Sequence, residues 1–268
     1  MLSGRISVSS RVNPKTGYPS IMIMPVQSGI YYSNDMGQTW LESKGGPSNL
    51  ISGRFAWSYN FSSDRAVGDV FYAYAGGSFY VSKDGGANFR QTVSDLPSYN
   101  RSFVRAAPYM AGEVWTALGF DGLYRSGNFG ESFEKIENVT RAYMISFGKE
   151  APGRTNPTVF LYGEVNNVNG IFRSVDMGKT WVFISDDEHA IGCEPTCLTG
   201  DRNIFGVVYA GTNGTGYWCG EPTEANGLLD IEKNAANVNV SNDADFSDIE
   251  DLQKIKIFID DKEINFVG

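Results

Sequence analysis

The segment Tyr32-Ser33-Asn34-Asp35-Met36-Gly37-Gln38-Thr39-Trp40 constrains this chain more than any other, because close copies of it return three more times. They read Val81-Ser82-Lys83-Asp84-Gly85-Gly86-Ala87-Asn88-Phe89, Arg125-Ser126-Gly127-Asn128-Phe129-Gly130-Glu131-Ser132-Phe133 and Arg173-Ser174-Val175-Asp176-Met177-Gly178-Lys179-Thr180-Trp181. The shared pattern is Ser-x-(Asp/Asn)-x-Gly-x-(Thr/Ser/Asn)-(Trp/Phe). Each copy reads as a tight turn between two short strands. The Asp or Asn side chain accepts hydrogen bonds from backbone N–H groups of the turn, and the Gly supplies the positive φ of the bend. The aromatic residue then opens the next strand and packs under the turn, which predicts that Trp40 and Trp181 are buried.

The Asp or Asn positions follow one another at intervals of 49, 44 and 48 residues, with strand signals inside every interval. A repeat of this length matches one four-stranded sheet of a radial array. The expected fold is therefore all-β, a propeller of about four to five four-stranded blades. Asp35, Asp84, Asn128 and Asp176 are assigned to architecture: an amide can replace a carboxylate as a turn acceptor, as at Asn128, but not as a general base.

The strands follow one grammar. Residues 4–12 alternate with Ile6, Val8 and Val12 on one face, and Ser20-Ile21-Met22-Ile23-Met24 reads as a strand buried on both faces. Strand, strand, then Gly or Ser, an apolar residue, an aromatic or second apolar residue and Ser lead into each box, as in Ser78-Phe79-Tyr80-Val81-Ser82 and Gly170-Ile171-Phe172-Arg173-Ser174. After the fourth box only Val207-Val208-Tyr209-Ala210-Gly211 and Gly216-Tyr217-Trp218 look like strands. The expected organisation is a propeller region over 1–221, an acidic linker-like stretch over 222–253, and a hairpin-like end over 254–268. That end opens another module or docks on the propeller edge.

Charge bears on partners. Of a formal net charge of −9, residues 222–268 carry −7, so the repeat region is nearly neutral. A body without a basic stripe has no field to gather nucleic acid. No apolar run of about 18 residues is present, which argues against a helical membrane span. The opening Met1-Leu2-Ser3-Gly4-Arg5-Ile6-Ser7 lacks the apolar core of a secretory signal.

The three cysteines, Cys193, Cys197 and Cys219, lack the pairing of a zinc site, and His189 is the only histidine. In a secreted protein a disulfide joining Cys219 to either Cys193 or Cys197 is expected, leaving one thiol free. Sequons at Asn60, Asn100, Asn138, Asn213 and Asn239 suit that setting. No metal or other cofactor is expected.

The turn pattern is the Asp box of sialidases, sortilin-type receptors and glycan-degrading propellers. A more specific resemblance rests on an ordered set: Phe79-Tyr80-Val81-Ser82-Lys83-Asp84-Gly85-Gly86-Ala87, Gly122-Leu123-Tyr124-Arg125-Ser126, Phe147-Gly148-Lys149-Glu150-Ala151-Pro152-Gly153, Gly170-Ile171-Phe172-Arg173-Ser174 and Val208-Tyr209-Ala210-Gly211-Thr212-Asn213-Gly214-Thr215-Gly216. From about Gly4 to Glu221 the chain thus resembles the carboxy-terminal propeller of glycoside hydrolase family 74. That family comprises xyloglucan endoglucanases and oligoxyloglucan reducing-end-specific cellobiohydrolases.

The resemblance implies a secreted enzyme of two seven-bladed propellers facing across a cleft, hydrolysing the β-1,4-glucan backbone of xyloglucan with inversion. Inversion needs an acid and a base on opposite sides of the bond. Neither family aspartate has a counterpart here. Gly68-Asp69 is superficially like the second motif but continues as Val70-Phe71-Tyr72, which fits a blade strand. The chain is therefore expected to be a carboxy-terminal part that is inactive alone and lacks its amino-terminal propeller partner. The alternative is a non-catalytic Asp-box propeller that binds glycan or protein.

Two groups remain as site candidates. Asp186-Asp187-Glu188-His189 is the densest ionisable cluster, matched by a similar Asp-Asp-x-His in the family; Asp69, Asp186, Asp187 and His189 are the positions at which acid or base chemistry would be sought. Trp57, Trp115, Tyr217 and Trp218 are the aromatic candidates for stacking on sugar rings, whose C–H faces are apolar.

Overall fold

A computed structural model describes residues 4–25, 28–47, 59–185, 195–214, 216–222, 255–259 and 262–265. It consists of five sheets in which strands that are neighbours in sequence are neighbours in space. The first is β1 (Gly4–Val12), β2 (Pro19–Pro25), β3 (Tyr31–Ser33) and β4 (Leu41–Glu42). The second is β5 (Phe61–Ser63), β6 (Phe71–Ala75), β7 (Ser78–Ser82) and β8 (Arg90–Val93). The third is β9 (Phe103–Ala106), β10 (Val114–Ala117), β11 (Leu123–Ser126) and β12 (Glu134–Lys135). The fourth is β13 (Val139–Gly148), β14 (Thr158–Val165), β15 (Val168–Ser174) and β16 (Val182–Phe183). The last is β17 (Pro195–Gly200), β18 (Val208–Thr212) and β19 (Tyr217–Pro222), extended on the free side of β19 by β20 (Ile255–Ile259) and β21 (Lys262–Asn265).

Two compact units share these sheets. One comprises Met1–Ile145 with Gly163–Val168, the other Ser146–Tyr162 with Asn169–Gly268, so the fourth sheet contributes to both.

In the first unit the cores lie between consecutive sheets. The sequence of β6 shows why. Its side chains alternate, as in any strand. Phe71 and Ala73 join Met22, Met24 and Ile30 against the first sheet. Tyr72 and Tyr74 join Phe79, Val104 and Val114 against the third. A strand covered on both faces needs an unbroken apolar run, and each fully buried aromatic ring contributes about 2–3 kcal/mol. Isolated parallel bridges from Tyr59 to Phe103 and from Arg65 to Pro108 join consecutive sheets at the first strand of each.

The second unit follows the same rule. Val159, Phe160 and Leu161 are fully buried in β14, while Leu198, Val208 and Ala210 fill the inside of the last sheet. Ser146 Oγ accepts a hydrogen bond from the Gly200 N–H at 2.8 Å, joining β13 to β17.

Two sequence expectations are corrected: β17 (Pro195–Gly200) is a strand absent from the sequence reading, and β2 is not fully buried on both faces. In β2 Ser20, Met22 and Met24 are fully buried, while Ile21 and Ile23 are half-buried. The face of β1 that carries Ile6, Val8 and Val12 is open, with these side chains 66%, 40% and 58% exposed. Alternation assigns side chains to a face, but a second sheet must cover that face before it becomes core.

Candidate functional site

Because strand direction alternates, each sheet has two ends. In the first four sheets one end holds the connection from first to second strand and the box turn from third to fourth; the other holds the connection from second to third strand.

At the box end the four turns share one hydrogen-bond scheme. Ser33, Ser82, Ser126 and Ser174 each donate to the Asp or Asn two residues on, at 2.7–2.8 Å. Each also accepts from the glycine N–H four residues on, at 2.8–3.0 Å. The Asp or Asn oxygen then accepts the backbone N–H of Thr39, Asn88, Ser132 or Thr180. At Asn128 the amide donates to Ser132 Oγ, whereas at Asp35 the carboxylate accepts from Thr39 Oγ1.

The bend takes two consecutive positive-φ residues, the glycine and the one before it, which is Met36, Phe129 and Met177 in three copies. The Thr39 hydroxyl, then its N–H and Ser33, hold Asp35 down at about 2. Trp40 departs from expectation: its ring lies over Gly37 and stays 37% exposed. Trp181 is half-buried.

Beside the boxes lies a second repeated device that composition and box spacing did not reveal. Asp64 is fully buried and accepts the N–H groups of Ala66 and Val67, the Tyr72 hydroxyl at 2.6 Å and the Gly112 N–H of the next sheet at 2.9 Å. Burial and then the Asp64 carboxylate push the Tyr72 phenol up. Asp201 repeats this: it accepts from the N–H groups of Asn203 and Ile204 and from the Tyr209 hydroxyl at 3.1 Å. Those two N–H groups hold Asp201 below the usual carboxylate range. The signal was present as Asp-Arg-x-x-x-x-Val-x-Tyr at 64–72 and 201–209.

This device explains Asp69. It occupies the sixth place of the first copy at φ 59°, where the second copy has Gly206 at 82°. Its backbone donates to Ser9 Oγ and accepts from Gly85 of the box, and its carboxylate accepts from Ser20 Oγ at 2.7 Å. Gly112 holds the corresponding place in the third sheet, accepting from Phe129. Asp69 thus serves as a loop hinge with its carboxylate tied back to β2.

The remaining predicted positions scatter. Trp115 is fully buried, its indole N–H donating to Glu113 Oε1 at 2.6 Å, where Arg125 also binds. A ring enclosed this way offers no face to a sugar, and the sequence reading of Trp115 as a platform is corrected. The Arg125 guanidinium is raised, first by its hydrogen bond to Glu113. Tyr217 is 73% exposed and Trp218 half-buried, and as consecutive residues of β19 they point to opposite faces of the sheet. Trp57, Asp186, Asp187, His189 and Cys193 lie outside the described residues.

Cys197 and Cys219 are free thiols. They sit on β17 and β19 with β18 between them, so their backbones are about 10 Å apart, beyond disulfide reach. Of the two expected partners of Cys219, Cys197 is therefore corrected, and Cys193 lies outside the described residues.

At the opposite end the connections differ from blade to blade. The second sheet turns through Gly76-Gly77 and the fourth through Asn166-Asn167, all with positive φ. The third places Phe120, 67% exposed, at the tip of its turn. Leu118 N–H donates to Gly122 O, and Gly119 exchanges two hydrogen bonds with Ala142 of β13 at 2.7 and 2.8 Å, which pins the tip. Tyr99 and Tyr143 stand perpendicular to the Phe120 ring at 6.4 and 6.1 Å between centroids, with Arg141 5.5 Å from its centre. Sequence reading missed Phe120 because a lone Phe beside a turn Asp carries no periodic signal.

No family model matches the chain. A xyloglucanase from Acetivibrio thermocellus is 39% identical over 203 residues, which cover 76% of this chain and 23% of that protein. An oligoxyloglucan-reducing end-specific xyloglucanase from Emericella nidulans is 35% identical over 200 residues, covering 71% and 24%. Among solved structures, a family 74 xyloglucanase from Xanthomonas campestris superposes with a TM-score of 0.66 at 30% identity, over 76% of this chain and 28% of that one. The chain thus spans about a quarter of the length of the curated relatives it matches. Over 76% of its length it is a homologue of the glycoside hydrolase family 74 xyloglucanases, and its sheets resemble the blades of their propellers.

Proposed function

We propose that the protein carrying this chain is an extracellular glycosidase that hydrolyses the β-1,4-glucan backbone of xyloglucan, and that these residues supply propeller blades and part of the glycan-facing surface. The carrying observation is the 39% identity maintained through 203 residues of a xyloglucanase. The use to which the fold puts its acids supports the assignment of blades rather than catalyst. Asp35, Asp64, Asp84, Asp176 and Asp201 are acceptors within turns and loops, and Glu113 is tied to Arg125. In this reading the acid and base of an inverting pair come from positions that this chain does not supply.

Electrophoresis of the chain through native gels containing soluble xyloglucan, beside an assay for new reducing ends, tests this. Retardation by xyloglucan without release of reducing ends is expected. Absence of retardation would remove the glycan reading. Turnover that persists after Asp69, Asp186 and Asp187 are each changed to Ala would relocate the chemistry.

A further inference from the structure

We infer that Phe120 is a stacking platform for one pyranose ring of a β-glucan chain, framed by Tyr99, Tyr143 and Arg141. The inference deepens the proposed function and rests on it.

Repetition separates what the blade requires from what it merely tolerates. The third sheet closes its second hairpin with Leu118-Gly119-Phe120-Asp121-Gly122, and nothing in the blade requires an aromatic residue there, since the second sheet closes through Gly76-Gly77. An apolar ring left 67% in water gains little from burial in the folded chain. Yet the surroundings hold it in place. Gly119 has φ 59°, and a Cβ there would collide with the Tyr99 ring, so that ring lies directly on the backbone of the turn. The two-bond bridge to Ala142 fixes the turn against β13, the strand that carries Arg141 and Tyr143. Arg141 is in turn held by Glu164 at 3.5 Å.

The chemistry of the frame selects the occupant. A protein partner would be met by a continuous apolar patch. Here one ring is surrounded by two phenols, a guanidinium and the exposed Asp121, that is, by hydrogen-bonding groups on every side. A β-linked pyranose has the matching character: an apolar C–H face for the ring and equatorial hydroxyls directed outward to a polar rim. Because the platform is already rigid, little side-chain entropy is lost on binding.

The test uses the full chain, with soluble xyloglucan as the probe, and the variants Phe120→Ala and Phe120→Trp. Native affinity electrophoresis should show Phe120→Ala weakened by about tenfold, roughly one aromatic stacking contact. Phe120→Trp should bind at least as well as the parent, and its emission should shift saturably as xyloglucan is added. Melting curves of all three should coincide, since the side chain is on the surface. Retardation of Phe120→Ala equal to the parent, or a Phe120→Trp emission that ignores the glycan, overturns the platform while leaving the proposed function standing. A parent chain that does not bind xyloglucan overturns both.

Discussion

The box end and the opposite end of each blade are built from the same strands yet obey different constraints. At the box end, short polar side chains satisfy the backbone of their own turn, and the arrangement recurs at Ser33, Ser82, Ser126 and Ser174 with distances that vary by a few tenths of an ångström. At the other end the second sheet spends two glycines, the fourth two asparagines and the third an exposed phenylalanine. A turn whose hydrogen bonds are fixed by side chains tolerates only replacements that keep those bonds. A turn closed by its backbone asks of its tip residues a compatible φ but no side-chain hydrogen bond, and such tips are where binding groups can be changed independently of the fold.

This contrast can be broken most decisively at Asp64. Changing it to Ala leaves the Tyr72 hydroxyl and the Gly112 N–H without their buried acceptor. A loss of roughly 3–5 kcal/mol is expected in urea unfolding. A variant as stable as the parent would show that the box end is not where the blade is secured.

The pH dependence of stability sharpens the comparison further. Asp35 is lowered from 3.8 to about 2 in the folded chain, so its contribution is complete above its unfolded value and lost as pH falls through about 2. Asp35→Asn has no such titration. The parent's advantage over this variant in melting temperature should therefore shrink steadily between pH 4.5 and 2. An advantage that is constant over that window would refute the assignment of the low value to the turn.

The smallest effect is expected at Asn128→Asp. The Ser132 hydroxyl, which now accepts from the amide, can rotate and donate to a carboxylate, as Thr39 does to Asp35. Stability should change by no more than about 0.5 kcal/mol in thermal unfolding. A larger loss would mean that the four boxes are not interchangeable.

The architecture could be read from residues alone because its determinants are local. Ser33 and Asp35, or Ser174 and Asp176, lie two residues apart and bond to backbone within the next few positions, so spacing in sequence is spacing in space. The second device, at Asp64 and Asp201, was equally legible in principle, since Asp, Val and Tyr recur at identical offsets, but it is less compact than the box. Its fourth donor at Asp64, from Gly112, comes from another sheet and has no sequence signature.

Sequence determined that this chain repeats a turn, that the turn joins strands, and that strands such as β6 are apolar on both faces. Only the tertiary structure decided which aromatic residues those faces enclose. Trp115 and Phe120 are five positions apart in the same sheet, yet one is fully buried and the other largely in water. The strand pattern assigns each side chain a direction. Whether another sheet occupies that direction depends on contacts made by residues far away in the chain, and those form only when the blades pack.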